Sequence, residues 1–300
     1  MVIPAWKRPA PLRQALASVR AVQGTDLDIE IVVADNALLD ETEQIAHEFG
    51  AVYLRNSAPG VAATRNAGAA VATGEFMAFL DDDDMWLPAH VRRHLDLLRA
   101  DHSLGAVMGQ IIPVDYSSLR PLQAPYPATL PADGDIFRVL LTGGLHIGGL
   151  VIRASAWDTV GPFDDSFNHG HTRVAVDDWD WYLRLAIQFR VGFVAEPCLL
   201  LRIHPPSRDE DTNTYLMERV GREVFWTNVR RAGRRRPSLI WATRTWLRHD
   251  GMCAGRLLWN ASEYVAQKEY KAACQALLLA ARTSPLHTAL TFARAGWMRG

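Results

Sequence analysis

Four consecutive aspartates, Asp81 to Asp84, follow the apolar segment Phe76-Met77-Ala78-Phe79-Leu80 and precede Met85-Trp86. Adjacent like charges repel unless something cationic sits among them. A strand of this composition ends by delivering its acids to the C-terminal edge of a sheet, where open α/β folds bind ligands. Hard oxygen donors at such an edge suit a six-coordinate cation, Mg²⁺ or Mn²⁺, that keeps positions free for phosphate oxygens. Taken alone, an acidic run is more often a solvated turn. The surrounding pattern decides.

That pattern alternates strand and helix. Val2-Ile3-Pro4 ends a short strand, and Pro11 to Val22 has Leu12, Leu16 and Val19 on one helical face. Ile29 to Ala34 is β-branched and nearly continuous in apolar residues, as in a buried parallel strand, and ends at Asp35-Asn36. Asp40 suits the N-cap of a helix over 41–49. Ala51 to Leu54 reads as the next strand. Pro59-Gly60 then turns into a helix of small residues, Val61 to Thr73, which Gly74 ends. The alternation predicts a doubly wound α/β sheet. The chain has no internal repeat, no G-x-G-x-x-G and no P-loop run, which argues against a dinucleotide-binding dehydrogenase and a P-loop enzyme.

The 300 residues, 49% of them hydrophobic, are enough to bury a large core. The formal net charge of −1 hides an asymmetry: from Arg219 onward there are fifteen Lys/Arg against four Asp/Glu, a net of +11. The front is acidic and the back basic. Cys198, Cys253 and Cys274 are scattered without metal-ligand spacing, so the spacing implies neither a disulfide framework nor a zinc site. The N-terminus shows no signal-peptide core and no apolar run approaches a membrane span, so a cytoplasmic, soluble or peripheral chain is expected.

The order and spacing of several short motifs resemble the family 2 glycosyltransferases of GT-A fold. They are Val2-Ile3-Pro4, Ile31 to Asn36, Asp40-Glu41-Thr42, Gly60 to Gly68, Phe79 to Trp86, Val160 to Asp164, Asp177 to Asp180 and Arg202 to Pro205. The resemblance covers roughly residues 1–205 and implies a GT-A domain, a doubly wound mixed sheet, with a C-terminal helical extension over 206–300.

It further implies a nucleotide-sugar donor bound by Pro4, Asp35, Arg65, Asp81 and Asp82, and Mn²⁺ or Mg²⁺ held by Asp83 and His204. Asp35, at a strand's end, can accept a hydrogen bond from a nucleobase imide N–H, as in a uracil or thymine reader. Arg65 follows the Gly60 turn, where a cation can reach a phosphate or base. Asp81 and Asp83 occupy the acidic positions of the D-x-D motif, Asp82 falls between them as a bystander to that pair, and Asp84 serves as a cap or anchor for the following segment. Asp178 would be the general base, with Asp177 in support and inversion at the anomeric carbon. A helix N-terminus favours an ionised carboxylate there, and the same acids also suit an N-cap and first turn. The expected reaction moves a hexose-type sugar from a UDP or dTDP donor to a hydroxyl of a glycan or lipid-linked saccharide. A sugar-nucleotide nucleotidyltransferase and an inactive carbohydrate-binding protein are the other readings.

Several segments give less. His169-Gly170-His171 suits a polar loop. Pro113 to Pro131 reads as an irregular loop on the acceptor side. Gly143 to Gly149 leaves room for a close approach, or for a bulge, before the strand Leu150-Val151-Ile152.

Beyond Pro206 the periodicity is helical only: Tyr215 to Arg231, Ser238 to Leu247, Ala254 to Gln267 and Glu269 to Arg282. The last pair resembles a single tetratricopeptide-type hairpin, which must pack on a domain, a partner or a membrane. Arg230-Arg231 and Arg234-Arg235-Arg236, with Trp226, Trp241 and Trp246 nearby, suit an anionic lipid surface. Such a run is more often a solvated basic face; a homo-oligomer contact is a further reading, and no nucleic-acid partner is expected.

Overall fold

The computed structural model describes residues 1–22, 27–88, 90–143, 145–168, 176–204 and 210–297. His169, His171 and Pro205 lie outside them. The chain's internal contacts divide it into two compact units, Met1–Pro205 and Pro206–Gly300.

The first unit opens with β1 (Val2–Ala5), α1 (Pro9–Val22), β2 (Val32–Asp35), α2 (Asp40–Glu48), β3 (Val52–Arg55) and α3 (Val61–Val71). The three strands pair in parallel in the order β1-β2-β3, with Val2 opposite Val32 and Val32 opposite Val52. Asp40 is the first residue of α2, and Leu39, in extended conformation, precedes it. Three acids therefore stand in the first turn, where they face the helix dipole's positive end.

β4 (Phe76–Met77), β5 (Met85–Trp86), α4 (His90–Ala100), β6 (Leu104–Asp115), α5 (Phe137–Thr142), β7 (Leu150–Arg153), α6 (Ala154–Val160), α7 (Asp177–Gln188) and β8 (Arg190–Ile203) complete the unit. A second set of strands has the order β4-β7-β6-β8-β5, antiparallel except for the β6–β8 pair. Phe79 bridges Val2 in parallel, and Val2 N–H donates to Ala78 while Leu80 N–H donates to the Val2 carbonyl. The two sets thus join into one mixed sheet through the segment that leads into the acidic run. On that side of β1 the next donor would be residue 4, because backbone N–H groups alternate along a strand. Pro4 has none, and the acidic segment parts from β1 there.

β6 runs straight through Pro113 to Asp115, where the proline-rich composition suggested a loop. The residues after it fold back on β6, with Tyr126 bridging Ile111 and Pro121 bridging Val114. Two residues of α3 fix its packing. Asn66 exchanges hydrogen bonds with the backbone of Phe163, and Gly68 meets Val2 so closely that an added Cβ would lie 2.4 Å from Val2 Cγ1. Beneath the acidic run, Phe79, Trp157, Phe163 and Trp181 form one aromatic cluster with centroid separations of 5.2–5.8 Å.

The second unit is helical: α8 (Glu210–Arg231), α9 (Leu239–Ala266), α10 (Tyr270–Thr283) and α11 (Pro285–Trp297). α9 is one helix of 28 residues where the sequence suggested two. The apparent break at Asp250-Gly251 is a packing site. Asp250 is buried and pairs with Arg222, and a Cβ on Gly251 would lie 3.3 Å from His287 Nδ1. α9 and α10 form a hairpin around Ala254, Leu257, Leu279 and Ala280.

Candidate active site

The four aspartates meet two guanidinium groups and two imidazoles, and each carboxylate has its own combination of neighbours. Asp81 Oδ1 lies 2.6 Å from Arg65 Nη2, and Arg65 Nη1 lies 3.1 Å from Asp177 Oδ2. Asp82 accepts from Trp6 N–H at 2.8 Å and from Arg8 at 2.8 Å. Arg8 also reaches Asp83 at 2.9 Å. Asp83 Oδ2 lies 2.5 Å from His204 Nε2. Asp84 Oδ1 accepts from Arg202 N–H at 2.9 Å, which ties the run to β8.

Four loops therefore converge. The residues after β1 supply Arg8, the turn after β4 the acids, the start of α7 Asp177 and Asp178, and the end of β8 His204. A fifth contributor is His146, which precedes β7. Its Nε2 stands 3.6 Å from Asp81 Oδ2 and 3.7 Å from Asp84 Oδ2. Sequence reasoning passed over it: a lone histidine inside Gly143 to Gly149 carries no spacing signal, and only the glycines on both sides hint that the chain needs that ring in a confined place.

The electrostatics follow from burial against these partners. Burial alone would push the Asp81 carboxyl up, but Arg65 and His146 together hold it well below the usual carboxylate range. Burial raises Asp82 to about 7 despite Arg8, and raises Asp84 to about 7 despite His146. For His146 burial works downward, yet Asp81, Asp84 and Asp178 outweigh it and lift the imidazole to about 9. Gly148 N–H lies 3.3 Å from His146 Nδ1, a long contact that is a hydrogen bond only in the neutral imidazole and does not offset three carboxylates. Asp178, half-buried in the first turn of α7, is pushed up to about 6 by burial and then by Asp177. The helix N-terminus favours the ionised form, as expected, but desolvation and a like charge next door outweigh that dipole and set the value above the ordinary carboxylate range.

Some expected roles look different in place. Arg65 is almost fully buried between Asp81 and Asp177, so it organises carboxylates and is no open cation for a phosphate. Asp35 is fully buried; it accepts from Ala37 N–H, Leu39 N–H and Tyr53 Oη at 2.8–2.9 Å. Those bonds occupy three of a carboxylate's roughly four acceptor positions, so Asp35 shapes the turn into α2 in place of standing open to a nucleobase. Asp82, expected beside the donor as a bystander to the D-x-D pair, accepts from Trp6 and Arg8 and so anchors the loop after β1. Asp84 does anchor a segment, but the segment is β8.

The donor set suits a divalent cation. Among the described residues, Asp84 Oδ2 and Asp177 Oδ1 are buried without a hydrogen-bond partner. Asp81, Asp84 and His146 offer donor atoms within 4.8 Å of one another, and Asp83 with His204 offers a second oxygen–imidazole pair. Carboxylate oxygens with one or two imidazoles fit Mn²⁺ well and Mg²⁺ acceptably.

Comparison with known proteins supplies the family and the fold. Residues 1–138 match the family model "Glycosyl transferase family 2". They belong to that family. A glycosyltransferase of uncharacterized activity from Rickettsia prowazekii is 26% identical over 235 residues, covering 76% of this chain and 70% of its own. The abequosyltransferase RfbV of Salmonella typhimurium is 27% identical over 185 residues, 55% of either chain.

Among solved structures, residues 1–349 of S. aureus TarS in complex with UDP-GlcNAc superpose with a TM-score of 0.53 at 13% identity, over 94% of this chain and 90% of that one. In a longer TarS structure the match spans 85% of this chain and about half, 48%, of the TarS chain. The mannosyltransferase PcManGT from Pyrobaculum calidifontis, in complex with GDP-Man and Mn²⁺, gives 0.55 at 17% identity over 99% of this chain and 79% of its own. The fold is GT-A, and the chain carries a family 2 glycosyltransferase domain.

Proposed function

We propose that this glycosyltransferase moves a sugar, with inversion and with the help of a divalent cation, from a nucleoside-diphosphate donor to a hydroxyl of a glycan or lipid-linked saccharide. The observation that carries this is the convergence of Asp81, Asp83, Asp178, His146 and His204 at the C-terminal edge of the sheet. The neighbours' complexes hold UDP-GlcNAc in one case and GDP-Man with Mn²⁺ in the other. A UDP or dTDP donor is the reading for this chain, with the base set by the turn that Asp35 holds.

Asp178 takes the proton of the attacking hydroxyl. As that oxygen bonds to the anomeric carbon from the opposite face, the bond from that carbon to the diphosphate oxygen breaks and the nucleoside diphosphate departs with the electron pair. A carboxyl near 6 is mostly ionised at neutral pH yet basic enough to take a proton in the transition state. Asp83 and His204 would hold the cation, with Asp81 and His146 beside them. When bound, the cation takes up charge on the leaving diphosphate as a Lewis acid. Asp177 and Arg65 keep Asp178 and Asp81 in place.

The basic helices 206–300 make a membrane surface the preferred site of the acceptor. On α9, Ile240, Leu247, Met252 and Trp259 are 59–68% exposed, alongside exposed Arg244 and Arg248. Apolar and cationic side chains interleaved on one side of a long helix suit an anionic lipid interface. No described helix is long and apolar enough to cross a membrane. Flotation with anionic liposomes should capture the protein at low salt and release it at high salt. Capture by neither anionic nor neutral liposomes would leave α9 as an oligomer or packing face.

The reaction itself is tested by a panel of UDP-, dTDP- and GDP-sugars with Mn²⁺. Release of nucleoside diphosphate from one of them, with a product of inverted anomeric configuration by NMR, is expected. Retained configuration would remove Asp178 from the base role.

A further inference from the structure

α4 and β8 bring together a second set of metal-ligating side chains that shares no residue with the carboxylate site. His90 and His94 lie one turn apart on α4, and Cys198 stands on β8. Their ligand atoms lie within 4.8 Å of one another, and each residue is at most 1% exposed. The sequence could not announce this group, since Cys198 is more than a hundred residues from the histidines.

Three observations give the group chemical direction. His94 Nδ1 lies 2.8 Å from the His90 carbonyl oxygen, so Nδ1 carries the proton and donates, and Nε2 keeps its lone pair. A ligating histidine is ordinarily held this way, with its other N–H on a backbone carbonyl. Next, His94 Nε2 and both ring nitrogens of His90 are buried without a hydrogen-bond partner among the described residues. The ring contacts of His90 with Trp86 and His94, at 4.5 Å, provide packing but no acceptor or donor of comparable strength. Finally, β6 packs against the group with a glycine: a Cβ on Gly109 would lie 2.6 Å from Cys198 Sγ and 3.0 Å from His94 Cε1. The Gly149 carbonyl, 3.9 Å from Cys198 Sγ, borders the same space.

We propose that His90, His94 and Cys198 form a closed site for one zinc-class metal ion that pins α4 to β8. Two neutral imidazoles and a thiolate are the donors such an ion prefers, and the Gly149 carbonyl supplies a fourth, oxygen donor. A modest closing of the three side chains brings their ligand atoms to about 2.0–2.3 Å from a common centre. The Cys198 thiol loses its proton to solvent as the sulfur–metal bond forms, so loading occurs with proton release. Burial on every side makes this a structural centre, filled as the chain folds. It is independent of the reading of the carboxylate site, which has no sulfur.

Cobalt(II) separates the two sites by spectrum. The full chain is produced in zinc-depleted, cobalt-supplemented medium, then treated with a chelator that strips an open carboxylate site. One retained cobalt per chain, a thiolate-to-cobalt absorption in the near ultraviolet and loss of both in Cys198→Ala are expected. Zinc should displace the cobalt and raise the thermal midpoint above that of metal-free protein. Should Cys198→Ala not fold, the Cys253→Ala/Cys274→Ala double variant must keep the band. No thiolate band in the wild type, or a band unchanged in Cys198→Ala or lost in the double variant, would overturn the proposal.

Discussion

Because burial and Asp177 hold the Asp178 carboxyl near 6, its protonation state changes just below neutral pH. A raised carboxyl is protonated, and useless as a base, below that value. kcat/KM should therefore fall as pH drops through about 6. At the other end, His146 is held near 9 by three carboxylates, and its positive charge is lost as pH rises through that value. The profile should be bell-shaped between the two limits. Asp178→Asn should leave donor binding intact and lower turnover by about 10²–10⁴, the usual worth of a general base; wild-type turnover in that variant would place the base elsewhere. His146→Gln should remove the alkaline limb while leaving the acid limb in place. An unchanged alkaline limb would show that another group sets it. At this scale the carboxylates were legible from the sequence, because Asp81 to Asp84 and Asp177-Asp178 are unusual as strings. Their contacts were not. Arg65 was singled out for a phosphate or base, whereas Arg8 and His146 are ordinary residues in the string; their meaning comes from contacts across 112 positions of chain for Arg65 to Asp177, 74 for Arg8 to Asp82 and 65 for His146 to Asp81, and Asp35 is turned inward by a tyrosine on the neighbouring strand.

α3 shows how an element made of small residues positions such a site. Val61-Ala62-Ala63 and Ala67-Gly68-Ala69-Ala70 let the helix lie close on β1 and β2, which puts Arg65 within reach of Asp81. Alanine at position 68 would favour the helix by about 1 kcal/mol over glycine. Its Cβ, however, would sit 2.4 Å from Val2 Cγ1 in a fully buried strand, and overpacking of that kind costs about 1–3 kcal/mol. Gly68→Ala should thus be net destabilising in urea unfolding; a stabilised variant would mean β1 can move away. The alternation of strands and helices up to residue 80 was readable because each element there has its own hydrophobic period. From 104 onward it was less so. β6 continues through a proline because its pairing with β8 carries on to Asp115, opposite Ile203. α9 passes through a glycine that looked like a break because His287 needs the space. Both are tertiary effects that no local pattern displays.

For the whole molecule, charge is divided: acids gather in the carboxylate site, and the residues from Arg219 onward carry fifteen Lys/Arg against four Asp/Glu, the asymmetry on which the proposed acceptor surface rests. The family match covers the first 138 residues, whereas Asp178 and His204 lie beyond it, so their roles rest on the geometry that brings them to the acidic run. That geometry contains a direct test. In the structure Arg8 and His204 already engage Asp83, and a diphosphate brought to the same place would face four carboxylates. On the proposed reading, a divalent cation would remove that conflict. Calorimetric titration of UDP, dTDP and GDP should give binding of at least one nucleotide in Mn²⁺ and none in chelator, with Asp83→Ala losing the Mn²⁺-dependent binding. Equal affinity with Mn²⁺ and with chelator would contradict a metal-centred donor site.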